Sequence, residues 1–225
     1  QKGIKRDKAG HDLNYLAESG LLSLSTAKNG APILPNTQIA DIAGGSYPAF
    51  INIVLALFKA KNLNRGTYID VSMYENLIPL AWLAISDSFV KHISKKNSLH
   101  LNGGIARYNI YETKDKKFLA LGALEDKFWY KFCNIIGAPS EVKLEKLPNK
   151  LIVNKVKKII KNKNEDYWKK KFDKEDDACC NFIEDVNYFI NDKHLVEKKI
   201  FDNKILINNK KVPAIPTSLD RKLNK

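Results

Sequence analysis

The stretch RYNIYETKDKKFLALGALEDKFW, residues 107–129, carries three local structures in a row. Tyr108 to Glu112 and Phe118 to Leu124 are rich in aromatic and aliphatic residues and flank the polar turn Lys114-Asp115-Lys116, the composition of a β-hairpin. From Asp126 the period changes. Phe128, Trp129, Phe132 and Ile136 recur at near-helical spacing up to Gly137, which predicts an amphipathic helix. Strand, strand and helix in this order open a small α+β module in the second half of the chain.

Working towards the N-terminus, Gly103-Gly104 and the aperiodic stretch 91–102 read as a linker and module boundary. Met73 to Val90 predicts a long apolar helix containing Trp82, and Thr67 to Ser72 alternates as a strand should. Asp41 heads a predicted helix whose run IAGGSYPAFINIVLALFKAKN, residues 42–62, is apolar on nearly every side, which predicts burial between layers. Its longest apolar stretch, Tyr47 to Phe58, is interrupted by Asn52 and runs about a dozen residues, short of the roughly 20 that span a bilayer, so no membrane span is expected. KNGAPILPN at 28–36 reads as an extended loop. Ala9 to Leu24 predicts a helix that Gly20 interrupts or ends.

Working outward to the C-terminus, Ile152 to Phe172 predicts one or two helices with cationic outer faces. Glu184 to Glu197 predicts another, and Lys204 to Val212 a closing hairpin about Asn208-Asn209.

Composition narrows the function. The chain has 225 residues, 44% of them hydrophobic, which supplies an ample core and excludes a disordered protein. Three cysteines are too few and too odd for a disulfide framework, so a reducing, cytoplasmic setting is expected. The opening QKGIKRDK has no apolar run behind it, so no secretory signal is read there, and the lack of an initiator Met points to a fragment. A formal charge of +13 raises the question of nucleic acid. Only four of the 38 cations are arginine (Arg6, Arg65, Arg107, Arg221), whereas readers of phosphates and bases lean on the guanidinium fork, so nucleic-acid binding is not expected.

Taken singly, the candidate chemical residues have plain structural explanations. His11 lies between Gly10 and Asp12 at a helix start, whereas His92, His100 and His194 read as surface or structural. Asp41 and Glu125 each precede a helix and fit an N-cap, whose carboxylate accepts first-turn amides. Gly44-Gly45 and Gly103-Gly104 belong to no phosphate-binding motif, although glycine lets a ligand approach the backbone. Cys179-Cys180 are adjacent rather than spaced for zinc, and no cofactor or metal is implied.

Taken together, AGHDLNYLAESGLL at 9–22, QIADIAGGS at 38–46, RGTYIDVSMYE at 65–75 and the stretch 107–129, in this order, resemble the alpha-methylacyl-CoA racemases of the family III CoA transferase superfamily. DDACCNFIEDVNYFINDKHLVEKKIF at 176–201 extends the likeness. The resemblance implies an α/β fold: a partial Rossmann-like large domain over 1–72, a helical linker over 73–106, a small α+β domain over 107–196 and a C-terminal return over 197–225. It also implies an acyl-CoA substrate and an interlocked homodimer with the active site shared between chains, and that most of the CoA-binding part precedes this chain. By the family pattern His11 is one catalytic base, Asp41 the opposing acid/base, and Glu125 a supporting carboxylate brought by the partner. Asp12, Tyr15 and Thr37 would support them, Thr37 standing where many racemases place Asn, and the four glycines would lie along the substrate.

These types suit racemisation of a 2-methylacyl thioester. The proton at C2 leaves to one group and returns from another on the opposite face, through an enolate whose oxygen amides near Asp12 could stabilise. Two alternatives stand beside this reading. One is a CoA transferase with Asp41 as nucleophile, and the other is a non-catalytic binding or assembly protein.

Overall fold

The computed structural model describes residues 2–27, 29–91, 100–175 and 178–214. Residues 92–99 of the expected linker over 91–102, with His92, lie outside these residues, as do 176–177 of the family-like segment and the tail 215–225.

The chain begins with helix α1 (Asp12–Glu18), followed by a single 3-10 turn at Leu21–Leu24. Gly20 ends α1 in the left-handed region at φ 82°, a stop that its position predicts. A π-wound turn, Ala40–Ser46, runs directly into α2 (Tyr47–Leu63). The combined helix Ala40–Leu63 has 24 residues, long and apolar enough to cross a membrane by length and composition. The helix thus fills the predicted run 42–62, and the dozen-residue stretch by which a membrane span was judged is only its middle part.

The expected burial of this helix is corrected: α2 has no buried residue, and Phe50, Leu55 and Phe58 stand 55%, 61% and 66% exposed. Sequence periodicity reports that a helix is apolar, not that anything covers it. Thr67 to Ser72 runs extended without pairing, since a strand needs a ladder partner and none lies beside it among the described residues. Next come a 3-10 stretch, Glu75–Ala81, and α3 (Trp82–Lys91). Pro79 divides the long helix expected here, because proline removes an amide donor from the helical ladder. A small core joins these pieces through Leu16, Ala40 and Leu77, with Tyr15, Leu21, Leu22 and Ile39 packed around it.

The second half is built differently. Strands β1 (Tyr108–Glu112) and β2 (Phe118–Gly122) form the predicted hairpin, with Ile110 opposite Ala120. A short strand that the sequence did not announce, β3 (Cys180–Phe182), adds antiparallel to β2 and gives the order β1-β2-β3. Helix α4 (Asp126–Ile136) buries Trp129, Phe132, Cys133 and Ile136, the i, i+3, i+4, i+7 set. After the short α5 (Ser140–Lys143), α6 (Asn149–Lys161) buries Ile152, Val153, Val156 and Ile160 while Lys157 and Lys158 face out. Helix α7 (Glu165–Phe172) contributes buried Trp168.

Phe132 lies at the centre of this core, its ring 5.9 Å from both Trp129 and Phe172. The buried polar edges of the aromatics are satisfied, Tyr111 donating to the Ala106 carbonyl at 2.7 Å and Trp168 to that of Ile160 at 2.9 Å. Helix α8 (Val186–Ile190) and α9 (Lys193–Glu197) replace the one helix expected over 184–197. Asp192 breaks it by capping α9, accepting from the amides of His194 and Leu195. The chain closes with the predicted hairpin of β4 (Lys204–Ile207) and β5 (Lys210–Pro213).

The fold is mixed α/β, but every paired strand among the described residues is antiparallel, and no strand of either sheet precedes β1. Among the described residues the segment 1–72 is helical, and its one strand-like stretch, 67–72, has no strand paired to it.

Candidate active site

His11 is the N-cap residue of α1, in extended backbone at φ −120°. The Asn14 side chain accepts from the His11 amide at 3.1 Å, so the first turn closes on the histidine's own backbone. Tyr15, one helical turn on, folds its ring back over Gly10: a Cβ at position 10 would meet the ring at 3.0 Å. Any larger residue at position 10 would press on the Tyr15 ring immediately before the histidine.

Asp12 joins the two halves of the site. Its carboxylate oxygen accepts from the amide of Ala40 at 2.6 Å and from that of Asp41 at 3.1 Å, linking residues 28 and 29 positions apart. A helix start carries unpaired amides and a partial positive charge, and a carboxylate placed there satisfies both. The expectation that Asp41 caps its own helix is corrected, because the helical backbone already begins at Ile39 and the cap comes from Asp12. The Asp41 carboxylate is left exposed beside the His11 segment. His11 is exposed as well.

The π-wound turn after Asp41 is held from a third segment. Asn76 donates from its side chain to the Gly44 carbonyl at 3.0 Å, and the Ser46 hydroxyl donates to the Asp41 carbonyl at 2.9 Å. Wide turns of this kind leave carbonyls in need of donors, and both donors here are side chains. Gly44 is buried against the Met73 carbonyl, which a Cβ would approach to 2.6 Å, and Gly45 faces the Met73 side chain. The close approach that these glycines permit is to Met73. Thr37 lies exposed in the bend before the helix.

Glu125 belongs to the other core. It is the N-cap residue of α4 at φ −75°, ψ 144°, but its side chain makes no cap hydrogen bond, so the simple capping explanation is corrected here as well. Among the described residues no hydrogen bond or ion pair joins its carboxylate to His11 or Asp41. Gly103 and Gly104 turn the chain into β1, and the Gly103 carbonyl accepts from the Asn109 side chain at 2.9 Å. The structure therefore brings His11, Asp12, Tyr15 and Asp41 into one region and sets Glu125 and the second glycine pair in the other unit.

Beside Gly10 opens a cleft of about 350 Å³ whose walls include Lys5, Arg6, Lys8, Tyr15 and Tyr74. Lys5 crosses it, pairing with Glu18 at 2.7 Å and resting 4.5 Å above the Tyr74 ring. The hydrogen bond to Glu18 holds the Lys5 ammonium above its usual pKa. Among the described residues no group of three or more His, Cys, Asp and Glu side chains is arranged to hold a metal ion.

Sequence reasoning named Asp12 but not its task. The signal was its place beside His11, whereas its partners lie far along the chain. Asn76 carried no signal, since its contact exists only in the folded arrangement.

The sequence pattern of CoA-transferase family III matches residues 1–222. An alpha-methylacyl-CoA racemase from Mus musculus is 32% identical over 211 residues, 89% of this chain and 54% of that one. The beta subunit of succinyl-CoA--L-malate CoA-transferase from Chloroflexus aurantiacus is 28% identical over 141 residues, 62% of this chain and 35% of that one. The crystal structure of Rv3272 from Mycobacterium tuberculosis, orthorhombic form, superposes with a TM-score of 0.74 at 16% identity, covering 97% of this chain and 59% of that one. The chain spans about half the length of the racemases it matches. Since the family pattern runs nearly end to end and the fold is shared, the chain belongs to CoA-transferase family III.

Proposed function

We propose that this chain is part of a racemase or epimerase acting on 2-methylacyl-CoA thioesters. The carrying observation is the double acceptance by Asp12, which ties the backbone of the His11 segment to the amide of Asp41. Two-base exchange at one carbon needs two groups of different chemistry fixed near each other, and charge-assisted hydrogen bonds from the Ala40 and Asp41 amides to the Asp12 carboxylate serve that without consuming the side chain of His11 or Asp41. His11 would take the C2 proton on one face, and Asp41 would serve the other. The enolate formed between the two transfers calls for donors in a water-poor site, with Glu125 supporting the histidine from a partner subunit in a shared homodimer site. The cationic wall of the neighbouring cleft suits the phosphates of an acyl-CoA. In this reading residues 1–72 carry the His and Asp motifs, 73–106 link, 107–196 form the small domain and 197–225 return.

The second reading is a CoA transferase, favoured by the exposed Asp41 carboxylate and by transferases among the relatives. There Asp41 would attack the thioester carbonyl, expel the CoA thiolate and hold the acyl group as a mixed anhydride. The full-length natural protein separates the two readings when 2-methylacyl-CoA is incubated in D2O and a parallel sample is treated with hydroxylamine. Racemisation gives C2 deuteration that His11→Ala lowers by about 10² to 10⁴-fold from the epimer whose proton His11 removes, with no trapped acyl group. Trapping at Asp41 without C2 exchange would establish the transferase instead.

A further inference from the structure

We propose that Arg107 is the positioning residue for Glu125, an inference that rests on the reading of Glu125 as a site carboxylate. One Arg107 Nη donates to the Leu124 carbonyl at 2.7 Å and pairs with the Asp126 carboxylate at 2.7 Å. The same planar cation therefore holds the residues immediately before and after Glu125. Its Nε and other Nη make a fork on the two carboxylate oxygens of Glu145, at 3.1 and 2.6 Å.

Arg107 has only 12% of its side chain exposed, and its guanidinium lies 5.6 Å from the ring of Trp129, on the core face of α4. The anchor at the far end is fixed too. Glu145 follows α5, whose Lys143 carbonyl accepts from the Trp129 indole at 3.0 Å. The clamp thus runs from the hairpin through Arg107 to both flanks of Glu125 and into the same core that seats α4.

Glu125 needs such a hold. Its carbonyl accepts from the amides of Phe128 and Trp129, which fixes the start of α4, but among the described residues no side-chain bond orients the carboxylate. Its direction is set by the backbone alone, and the backbone is what Arg107 grips. Lysine could neutralise the same acids but lacks the fork that serves Glu145, Leu124 and Asp126 together.

The test uses the full-length natural protein and the variants Arg107→Lys, Glu145→Gln, Glu125→Gln and the double variant Arg107→Lys/Glu125→Gln, with C2 exchange of 2-methylacyl-CoA and hydrogen exchange of residues 124–128 as readouts. The expected result is a fall in kcat of about 10² for Arg107→Lys with KM within about twofold, because misplacing a reacting group by an ångström costs that much. Amides 124–128 should exchange faster in that variant while the rest of α4 is unchanged. In the Glu125→Gln background the Arg107 change should cost less than about twofold, since the two residues act as a unit. Glu145→Gln weakens the clamp from its far end and should give the same pattern more mildly, which keeps the test intact if Arg107→Lys fails to fold.

Additive losses, or unchanged exchange at 124–128, would overturn the positioning role. Full activity in Glu125→Gln together with faster exchange at 124–128 in Arg107→Lys would instead overturn the catalytic reading of Glu125, and with it the purpose of the clamp, while leaving the clamp's geometry standing.

Discussion

Residues 106–182 and residues 2–91 use similar apolar inventories to different ends. In the later segment Tyr111, Trp129, Phe132, Ile152, Val156 and Ile160 are sealed together, their polar edges paired. In the earlier one, among the described residues, the buried cluster is Leu16, Ala40 and Leu77, and α2 presents Ile51, Leu55 and Phe58 to the outside. A unit with its own core owes its stability to packing inside the chain. A helix with an uncovered apolar face owes its place to a few polar ties, of which the Asp12 carboxylate is the principal one.

The sharpest way to break this contrast is paired truncation in the 225-residue chain. Phe132→Ala should cost about 3 to 5 kcal/mol by chemical denaturation, the range for opening a cavity at a buried aromatic, whereas Leu55→Ala should stay within about 0.5 kcal/mol. Equal losses would mean that α2 is covered after all. Thiol labelling sharpens the same point. Burial holds the Cys133 thiol up at about 12, so it should react only when the 106–182 unit opens, with a rate that follows Phe132→Ala and ignores Leu55→Ala.

Next in size, Asp12→Ala should cost about 1 to 2 kcal/mol, the range for a lost helix cap, and should speed amide exchange at Ala40 and Asp41 while leaving α4 untouched. An unchanged exchange rate at those two amides would remove the tie between the site's halves.

The smallest effect concerns acid. The Thr113 hydroxyl donates to Asp115 at 2.6 Å, and the Glu165 amide donates to it at 3.1 Å, so its carboxyl is held below the usual aspartate value. A folded pKa that is lowered contributes stability fully above the ordinary aspartate range and loses it as pH falls through the folded value. Asp115→Asn should therefore lower stability slightly at neutral pH and leave the acid end nearly unchanged, flattening the acid limb of the stability profile.

The same contrast explains what the sequence made legible. The hairpin, α4 and the pair α6 and α7 were readable because each is local: alternation, a polar turn and a helical stripe all lie within a few residues of one another. β3 escaped because three residues are too few to carry a pattern, and its existence depends on β2. Thr67 to Ser72 had the pattern, but among the described residues no strand pairs with it and nothing buries α2, so both errors concern what lies beside an element. The site divides along the same line. His11, Asp41 and Glu125 could be named from motifs in order, while the Asp12 tie, the Asn76 contact and the Arg107 clamp needed the fold, because each joins residues far apart in sequence.

The central claim is that His11 and Asp41 serve opposite faces of one carbon, and the most direct measurement starts from each 2-methylacyl-CoA epimer separately in D2O with the full-length protein. His11→Ala should abolish C2 exchange from one epimer and largely spare it from the other, with Asp41→Asn showing the reverse preference. Equal loss from both epimers in either variant, or exchange that survives both substitutions, would contradict two-base transfer by this pair.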